Sequence, residues 1–427
     1  MNNLSGIIIH KKNKGAYFFL LNIFIISAPL VVYGFSMFGG SVRISRILII
    51  IILPLLLLKI MENPFLIKRD NFFLYAMLPY LIYTTISILW SPNVETGTGI
   101  QRLGGLYEIV IVYLIIIAAD INAENVLKIL KVYLISAIVP LGVGIWQIAN
   151  NILQFSSIEI PFNQFVITGK YNELAGRYFS AGSGITRISS TFAEPNIFGC
   201  YLASVFLFSL LFKINKKWIR SIFRIFQLSI LIVIIFTLSK LAYLFLIIGL
   251  LYITRKNKKY IFTIIFIILL MIVIIVLLNY YKVSNILNRL TGDSGHYKIF
   301  VESLSEIQGI NYFIGAGIGS IPYGSWHRFI ISRIYESGMI GLIFAFAVSI
   351  IPINIMRLKV KNRYEKKIKN NFAGVMLSTI IGLNAYDYFI HLWPWIVIGI
   401  IMSTYNTKKL KNLKRMRTPN DDGSLKK

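Results

Sequence analysis

RISSTFAEPNIFGCYLASVFLFSLLF, residues 187–212, decides the fold. From Pro195 onward it is an almost purely apolar run of about 18 residues, enough to cross most of a hydrocarbon core about 30 Å thick. Before Pro195 stand an arginine, three hydroxyl residues and a glutamate. Proline suits the first position of a helix and holds the preceding residue extended, so the sequence predicts a helix starting at Pro195 with Glu194 as its cap. A polar segment thus leads directly into a membrane helix, and the question is which face of the membrane it occupies.

The rest of the chain repeats the apolar theme. Of 427 residues, 56% are hydrophobic and 14% charged, and hydropathy places twelve spans at about 16–37, 44–61, 72–90, 103–119, 130–149, 195–212, 222–238, 241–254, 260–280, 337–356, 371–390 and 392–406. The expected fold class is all-α integral membrane, a single polytopic domain over 1–406 followed by a basic cytoplasmic tail, 407–427. The first run follows Lys11, Lys12 and Lys14 but is too long for a signal-peptide core and lacks a small-residue cleavage site, so it reads as a retained span. One cysteine, Cys200, excludes an intrachain disulfide.

Charge sets the orientation. With the N-terminus inside, 32 of the 44 Lys and Arg residues fall on the cytoplasmic side and 12 outside. The positive-inside rule then places both termini in the cytoplasm. The clusters KINKKWIRSIFR, TRKNKKY, RLKVKNRYEKKIKN and KKLKNLKRMR account for the net charge of +27 through topology and attraction to anionic lipid, so no nucleic acid partner is expected. The last residues, TPNDDGSLKK, read as disordered.

Two outer segments, about 150–194 and 281–336, exceed ordinary loop length and hold most of the Gly-, Arg- and His-bearing polar sequence. Function is expected there. No Walker loop is present, and GAGIGS (315–320) is neither G-x-G-x-x-G nor set between strand and helix. Any enzyme here needs an activated substrate rather than ATP.

Three constellations stand out. In the first, the helix that begins at Pro195 turns its unpaired N–H groups outward, where an anion such as phosphate is favoured, and Arg187 can add a bidentate contact; an ordinary capped helix whose Arg neutralises its Glu explains the same residues. The second, NRLTGDSGHYKIFVESL (288–304), carries Arg289, His296 and Lys298, three cations suited to a diphosphate or simply a solvated loop. In the third, WHRFIISRIYESGMIGLIFA (326–345), His327, Arg328 and Arg333 lead into the tenth span, and His327 is a group whose unperturbed pKa lies near neutrality. His10 and His391 read as structural. The four histidines lack zinc-site spacing and the outer carboxylates form no Asp-x-Asp motif, so no metal or other cofactor is expected. Within spans, Glu108 and Asp387 are candidate functional charges, with Arg102 or Lys240 as partners in the structural alternative.

Taken in order, RISSTFAEPNIFGCYLAS, FTLSKLAYLFLIIGLL, NYFIGAGIGSIPYG and HRFIISRIYESGMIGLIFA resemble the O-antigen polymerase/ligase superfamily across roughly 180–345, as does SILWSPNVETGTGIQRLGGLYEIVIVYLI (87–115). The resemblance implies a GT-C-type membrane glycosyltransferase, metal-independent, acting on the outer side of the plasma (inner) membrane. Its implied donor and acceptor are undecaprenyl-diphosphate-linked oligosaccharides, with a chain-length regulator as a further partner. Arg187 and Arg289 become diphosphate contacts and His327 the base, while Glu194, Asn196, His296, Lys298, Arg328, Arg333 and Arg177 become substrate-binding candidates. His327 and Gly338 fit the His-x10-Gly pattern of the ligases, whereas Glu-Pro-Asn resembles the polymerase signature. Two departures are His296 and Lys240, which stand where arginine is usual. The reading favoured is a repeat-unit polymerase of O-antigen or capsular polysaccharide. The alternatives are an O-antigen ligase acting on lipid A core and, from another class, a lipid-linked sugar flippase, against which the large outer loops and few intramembrane charges count.

Overall fold

A computed structural model describes residues 2–37, 40–64, 72–92, 98–121, 125–151, 178–179, 186–192, 194–255, 309–320, 329–357, 363–385 and 391–417. Helices dominate them. In chain order these are α1 (Asn2–Ser27), α2 (Ile44–Glu62), α3 (Leu78–Ile86), α4 (Thr98–Ala118), α5 (Val126–Ile135), α6 (Ile138–Asn151), α7 (Pro195–Ser209), α8 (Lys217–Phe236), α9 (Lys240–Thr254), the single turn α10 (Asn311–Ile314), α11 (Phe329–Arg357), α12 (Arg363–Ala385) and α13 (Leu392–Arg417). A π-helical turn, Phe73–Met77, leads into α3, and a 3-10 turn, Ser87–Trp90, ends it. Two short antiparallel hairpins complete the described elements: β1 (Gly34–Met37) with β2 (Gly40–Arg43), Gly34 opposite Arg43, and β3 (Tyr178–Phe179) with β4 (Thr186–Arg187).

Six described helical stretches are long and apolar enough to cross a bilayer: Ile44–Glu62, Phe73–Trp90, Gly99–Ala118, Val126–Asn150, Lys217–Phe236 and Phe329–Arg357. Hydrocarbon offers no hydrogen-bond partner to a bare peptide group, so only backbone that satisfies itself can span it. Side chains such as Ile50, Leu57, Ile222 and Ile225 are exposed on these helices, as lipid-facing residues must be. The chain is an all-α membrane-embedded protein.

The buried centre is α7. Every residue of this helix except Asn196 is buried, which is why its sequence is apolar on all sides instead of striped. Because lipid is as apolar as leucine, close backbone approach and polar contacts hold such helices together. At Gly199 an added Cβ would lie 2.5 Å from the Ala242 Cβ of α9, so only glycine admits this crossing. Tyr133 of α5 and Ser204 share a hydrogen bond at 2.8 Å. Asn371 of α12 donates to the Leu207 carbonyl at 2.6 Å, and Trp393 of α13 meets the Tyr201 ring edge-on at 6.2 Å.

Several expected boundaries move. The run 16–37 stops being helical at Ser27; Pro29 and the glycines flanking Phe35 and Ser41 favour turn and strand, and the hairpin β1–β2 follows. The run 130–149 is two helices separated at Ser136–Ala137, where Ser136 Oγ donates back to Tyr133 O at 2.7 Å. The tight junction expected between 222–238 and 241–254 is a three-residue turn with Leu238 at φ 48°, closed by Ser239 Oγ accepting from Ala242 N at 3.1 Å. Helix α13 continues through the expected boundary at 406 to Arg417. The run 260–280 and the last residues of the tail lie outside the described residues.

Hydrogen bonds fix which helix ends lie together. Tyr17 in α1 donates to Ile115 O near the end of α4 at 2.7 Å, and Lys59 near the end of α2 reaches Ala118 O at 3.0 Å. At its other end α1 leads to Val32, whose N–H reaches Thr191 O at 3.1 Å. Thus α1 runs antiparallel to α4, and the start of α4 lies at the same end of the bundle as the segment leading into α7.

Candidate functional site

The polar run before α7 is a buried strap. Ser189, Ser190 and Thr191 have no exposed surface. Burying hydroxyls and peptide groups is costly unless each finds a partner, and the helices around the strap supply them. Gln147 Oε1 accepts from Ser189 N at 3.2 Å and Ser190 N at 2.8 Å. Ser190 Oγ donates to Pro140 O at 2.5 Å and Thr191 Oγ1 to Pro29 O at 2.7 Å. Ile188 N donates to Phe236 O at 3.3 Å. The strap therefore joins α6, α8 and the segment after α1 around the head of α7.

Arg187 begins the strap and is 6% exposed. Its Nε donates to Thr237 O at 2.9 Å, and its Nη2 donates to Asn196 Oδ1 at 2.8 Å and Leu238 O at 3.4 Å. Asn196 Nδ2 in turn donates to Glu194 Oε1 at 2.6 Å. Arg187, Asn196 and Glu194 thus form one chain, with the guanidinium also covering carbonyls at the end of α8. Glu194 occupies the N-cap position with the expected extended backbone, φ −147° and ψ 132°, but its side chain makes no cap bond. That corrects the expectation of a side-chain cap: the carboxylate holds Asn196 instead of a backbone N–H. Lys240 is exposed at the start of α9, just beyond the turn that Arg187 grips.

A second cluster forms around α11. Glu336 is 1% exposed. Its Oε1 pairs with Arg102 Nη1 of α4 and accepts from Gly319 N at 3.1 Å, and its Oε2 faces Arg333 Nη1 at 3.2 Å. Arg333 Nη1 also donates to Tyr80 Oη at 3.0 Å, and Tyr80 stacks on Phe344 with ring centroids 4.1 Å apart. The segment 315–319 is pinned between α11 and the turn 87–91. Ala316 N and Gly317 N donate to Tyr335 O and Glu336 O at 2.8 and 3.1 Å. Trp90 Nε1 reaches Gly315 O at 3.2 Å, Ser91 Oγ reaches Ile318 O at 2.6 Å, and Ile318 N reaches Ser87 Oγ at 3.2 Å.

Helix α11 is broken to admit this loop. Gly338 has φ 55° and ψ −137° inside it, a conformation an L side chain resists, and a Cβ there would strike the Phe313 carbonyl. GAGIGS is thus a packed plug in a broken helix.

Of the residues expected at the site, Arg187, Glu194 and Asn196 meet in the first cluster and Arg333 sits in the second. His327, Arg328, Arg289, His296, Lys298 and Arg177 lie outside the described residues. Glu108 takes Arg46 as partner at 3.0 Å, not Arg102 or Lys240, because Arg102 is turned to Glu336; Asp387 lies outside the described residues. Glu336, Arg102 and Tyr80 were not among the expected site residues. The available signal was Arg333 and Glu336 three residues apart in a run that is otherwise mostly apolar. At His391, before α13, burial and then the Arg43 charge push the imidazole down to about 3, so it is neutral near pH 7, in keeping with its structural reading.

Chemically, the second cluster gathers the Arg102 and Arg333 guanidiniums on the Glu336 carboxylate in a low-dielectric setting, where their attraction is stronger than in water. The first cluster pairs Arg187 with Glu194 through Asn196, and exposed Lys240 follows the turn whose carbonyls Arg187 contacts. Since α4 and the strap start at the same end of the bundle, both clusters lie toward that end. Compared with models of known protein families the chain matches none, and a search of curated proteins finds no match.

Proposed function

We propose that the protein is a polymerase of undecaprenyl-diphosphate-linked oligosaccharide repeat units for O-antigen or capsular polysaccharide, a GT-C-type enzyme of twelve spans. In this reading both termini are cytoplasmic, the membrane is the plasma (inner) membrane, and a chain-length regulator is a further partner. The observation that carries it is that Arg187, and Arg102 with Arg333, stand in two polar clusters at one end of an apolar bundle. The ordered sequence resemblance supplies the substrate class, and arginines gathered at one end suit a diphosphate substrate.

In the proposed reaction a hydroxyl of the incoming repeat unit attacks the anomeric carbon of the polymer, the new C–O bond forms, and the anomeric carbon's bond to the diphosphate oxygen breaks. Undecaprenyl diphosphate departs with the electron pair, and its growing charge needs positive groups already in place. Arg289 supplies this positive charge in the reading, with Arg187 holding the head of α7 in position. The hydroxyl proton passes to His327, which stands two residues before α11 in sequence and whose ordinary pKa suits a base near pH 7.

The ligase reading is favoured by one observation: Gly338, separated from His327 by ten residues in the His-x10-Gly pattern, occupies the left-handed break of α11. Deleting the gene separates the two. A polymerase deletion leaves lipid A core capped by single repeat units, whereas a ligase deletion leaves bare core and accumulated lipid-linked polymer. Intact long-chain polysaccharide in the deletion strain refutes both.

A further inference from the structure

At the other end of α7 from Arg187, the loop 210–216 and the first turns of α8 line an open cleft of about 430 Å³. That is within the range of small-ligand clefts, about 300–1,000 Å³. Lys213, Arg220 and Arg224 line it together with Ser209, Phe223 and Gln227, and no carboxylate is among its lining residues. Arg220, Arg224 and Gln227 are spaced i, i+4, i+7, so α8 presents them on one face. Two of Arg220's donors hold the loop in shape, Nε to Ile214 O and Nη2 to Asn215 O, both at 2.8 Å. Gln227 Nε2 ties the wall to Ser209 Oγ at 2.7 Å.

Positive charge is concentrated here beyond what the helix end needs. Lys367 of α12 caps the Leu211 carbonyl at 3.0 Å. Burial, and next the charge of Lys213, lower its pKa, since both disfavour the charged ammonium. The opposite face of α8 is apolar and open: Trp218, Ile222, Ile225 and Leu228 are 68, 52, 63 and 58% exposed. A tryptophan at the first turn of a membrane-length helix marks the headgroup level. Arginines inside that level, beside a stripe open to acyl chains, fit a molecule with a phosphate head and an apolar tail.

We propose that this pocket binds the phosphate of an anionic phospholipid, with its acyl chains lying along α8. Such a site is discrete and saturable, unlike diffuse attraction of basic loops to a charged surface. It does not rest on the glycosyl-transfer reading, because it lies at the other end of α7.

The test uses the purified full-length protein in detergent, titrated with dioleoylphosphatidylglycerol or dioleoylphosphatidylcholine and read by native mass spectrometry. The expected result is one saturable phosphatidylglycerol retained in preference to phosphatidylcholine. In the Lys213→Gln/Arg224→Gln variant, which keeps the Arg220 bonds, its retention falls roughly tenfold or more, the loss of charge-assisted contacts. Arg224→Lys retains an intermediate amount. Lys128→Gln/Lys131→Gln, which removes the same charge from the exposed face of α5, retains as much as wild type. Equal retention of the two lipids, or wild-type retention by the Lys213→Gln/Arg224→Gln variant, overturns the proposal. So does saturable binding of inorganic phosphate with no lipid preference, which assigns the pocket to a soluble anion.

Discussion

Replacing Glu336 by glutamine removes the one carboxylate shared by Arg102 and Arg333 while keeping its shape and an acceptor for Gly319 N. The three side chains are 2, 10 and 6% exposed, so water does little to screen the change. Removing one partner of a buried ion cluster costs about 3–5 kcal/mol, or roughly a hundredfold to several thousandfold in the unfolding equilibrium. The assay is unfolding in mixed detergent micelles followed by tryptophan fluorescence. Trp90 is a local reporter, since its indole is bonded to the plug at Gly315. If the cluster acts as a unit, adding Arg333→Gln to Glu336→Gln costs less than the sum of the single changes, with a coupling of about 1–3 kcal/mol. A Glu336→Gln protein within about 1 kcal/mol of wild type, or additive single and double variants, would refute the view that this carboxylate locks the plug.

Gly338→Ala should destabilise by at least about 1–2 kcal/mol from the left-handed conformation alone, and more from collision with Phe313; unchanged stability would show that α11 is continuous there. Arg187→Ala should abolish chain extension while the protein still inserts, and Arg187→Lys, which keeps charge but cannot reach Thr237 O and Asn196 together, should support only partial extension. Full activity in the alanine variant removes Arg187 from the account. The lowered pKa of His391, about 3 folded against about 6.5 unfolded, means that the unfolded state binds the extra proton between those values. Its contribution to stability is therefore fully present above pH 6.5 and declines on acidification, by up to about 1.4 kcal/mol per pH unit. His391→Gln should flatten that slope, and an unchanged slope assigns the acid sensitivity elsewhere.

Length and hydropathy were enough to place helices within most expected spans, because crossing a bilayer imposes the same demand on every one of them. The start of α7 was readable for a local reason: Pro195 both begins the helix and extends Glu194. The long-range pairs were not readable. Arg102 and Glu336 are 234 residues apart, and nothing in either local sequence favours that pairing over Arg102 with Glu108, which lies nearer and proved to belong to Arg46. GAGIGS falls in an expected outer segment, yet its glycines serve close packing, with Gly317 so near Ser91 that an added Cβ would stand 2.7 Å from its Cα. The polar run RISST is a dry strap, because Gln147 takes the N–H groups of Ser189 and Ser190 while the carbonyls of Pro140 and Pro29 take the hydroxyls of Ser190 and Thr191.

The most direct test of the account is reconstitution of the purified protein in liposomes with one defined undecaprenyl-diphosphate repeat unit and no nucleotide or other donor. A ladder of lipid-linked products, each longer by one repeat unit, with free undecaprenyl diphosphate released in step, is the predicted outcome, and His327→Ala and Arg289→Ala should abolish it. Movement of intact repeat units between leaflets without any ladder would contradict glycosyl transfer and leave the flippase reading in its place.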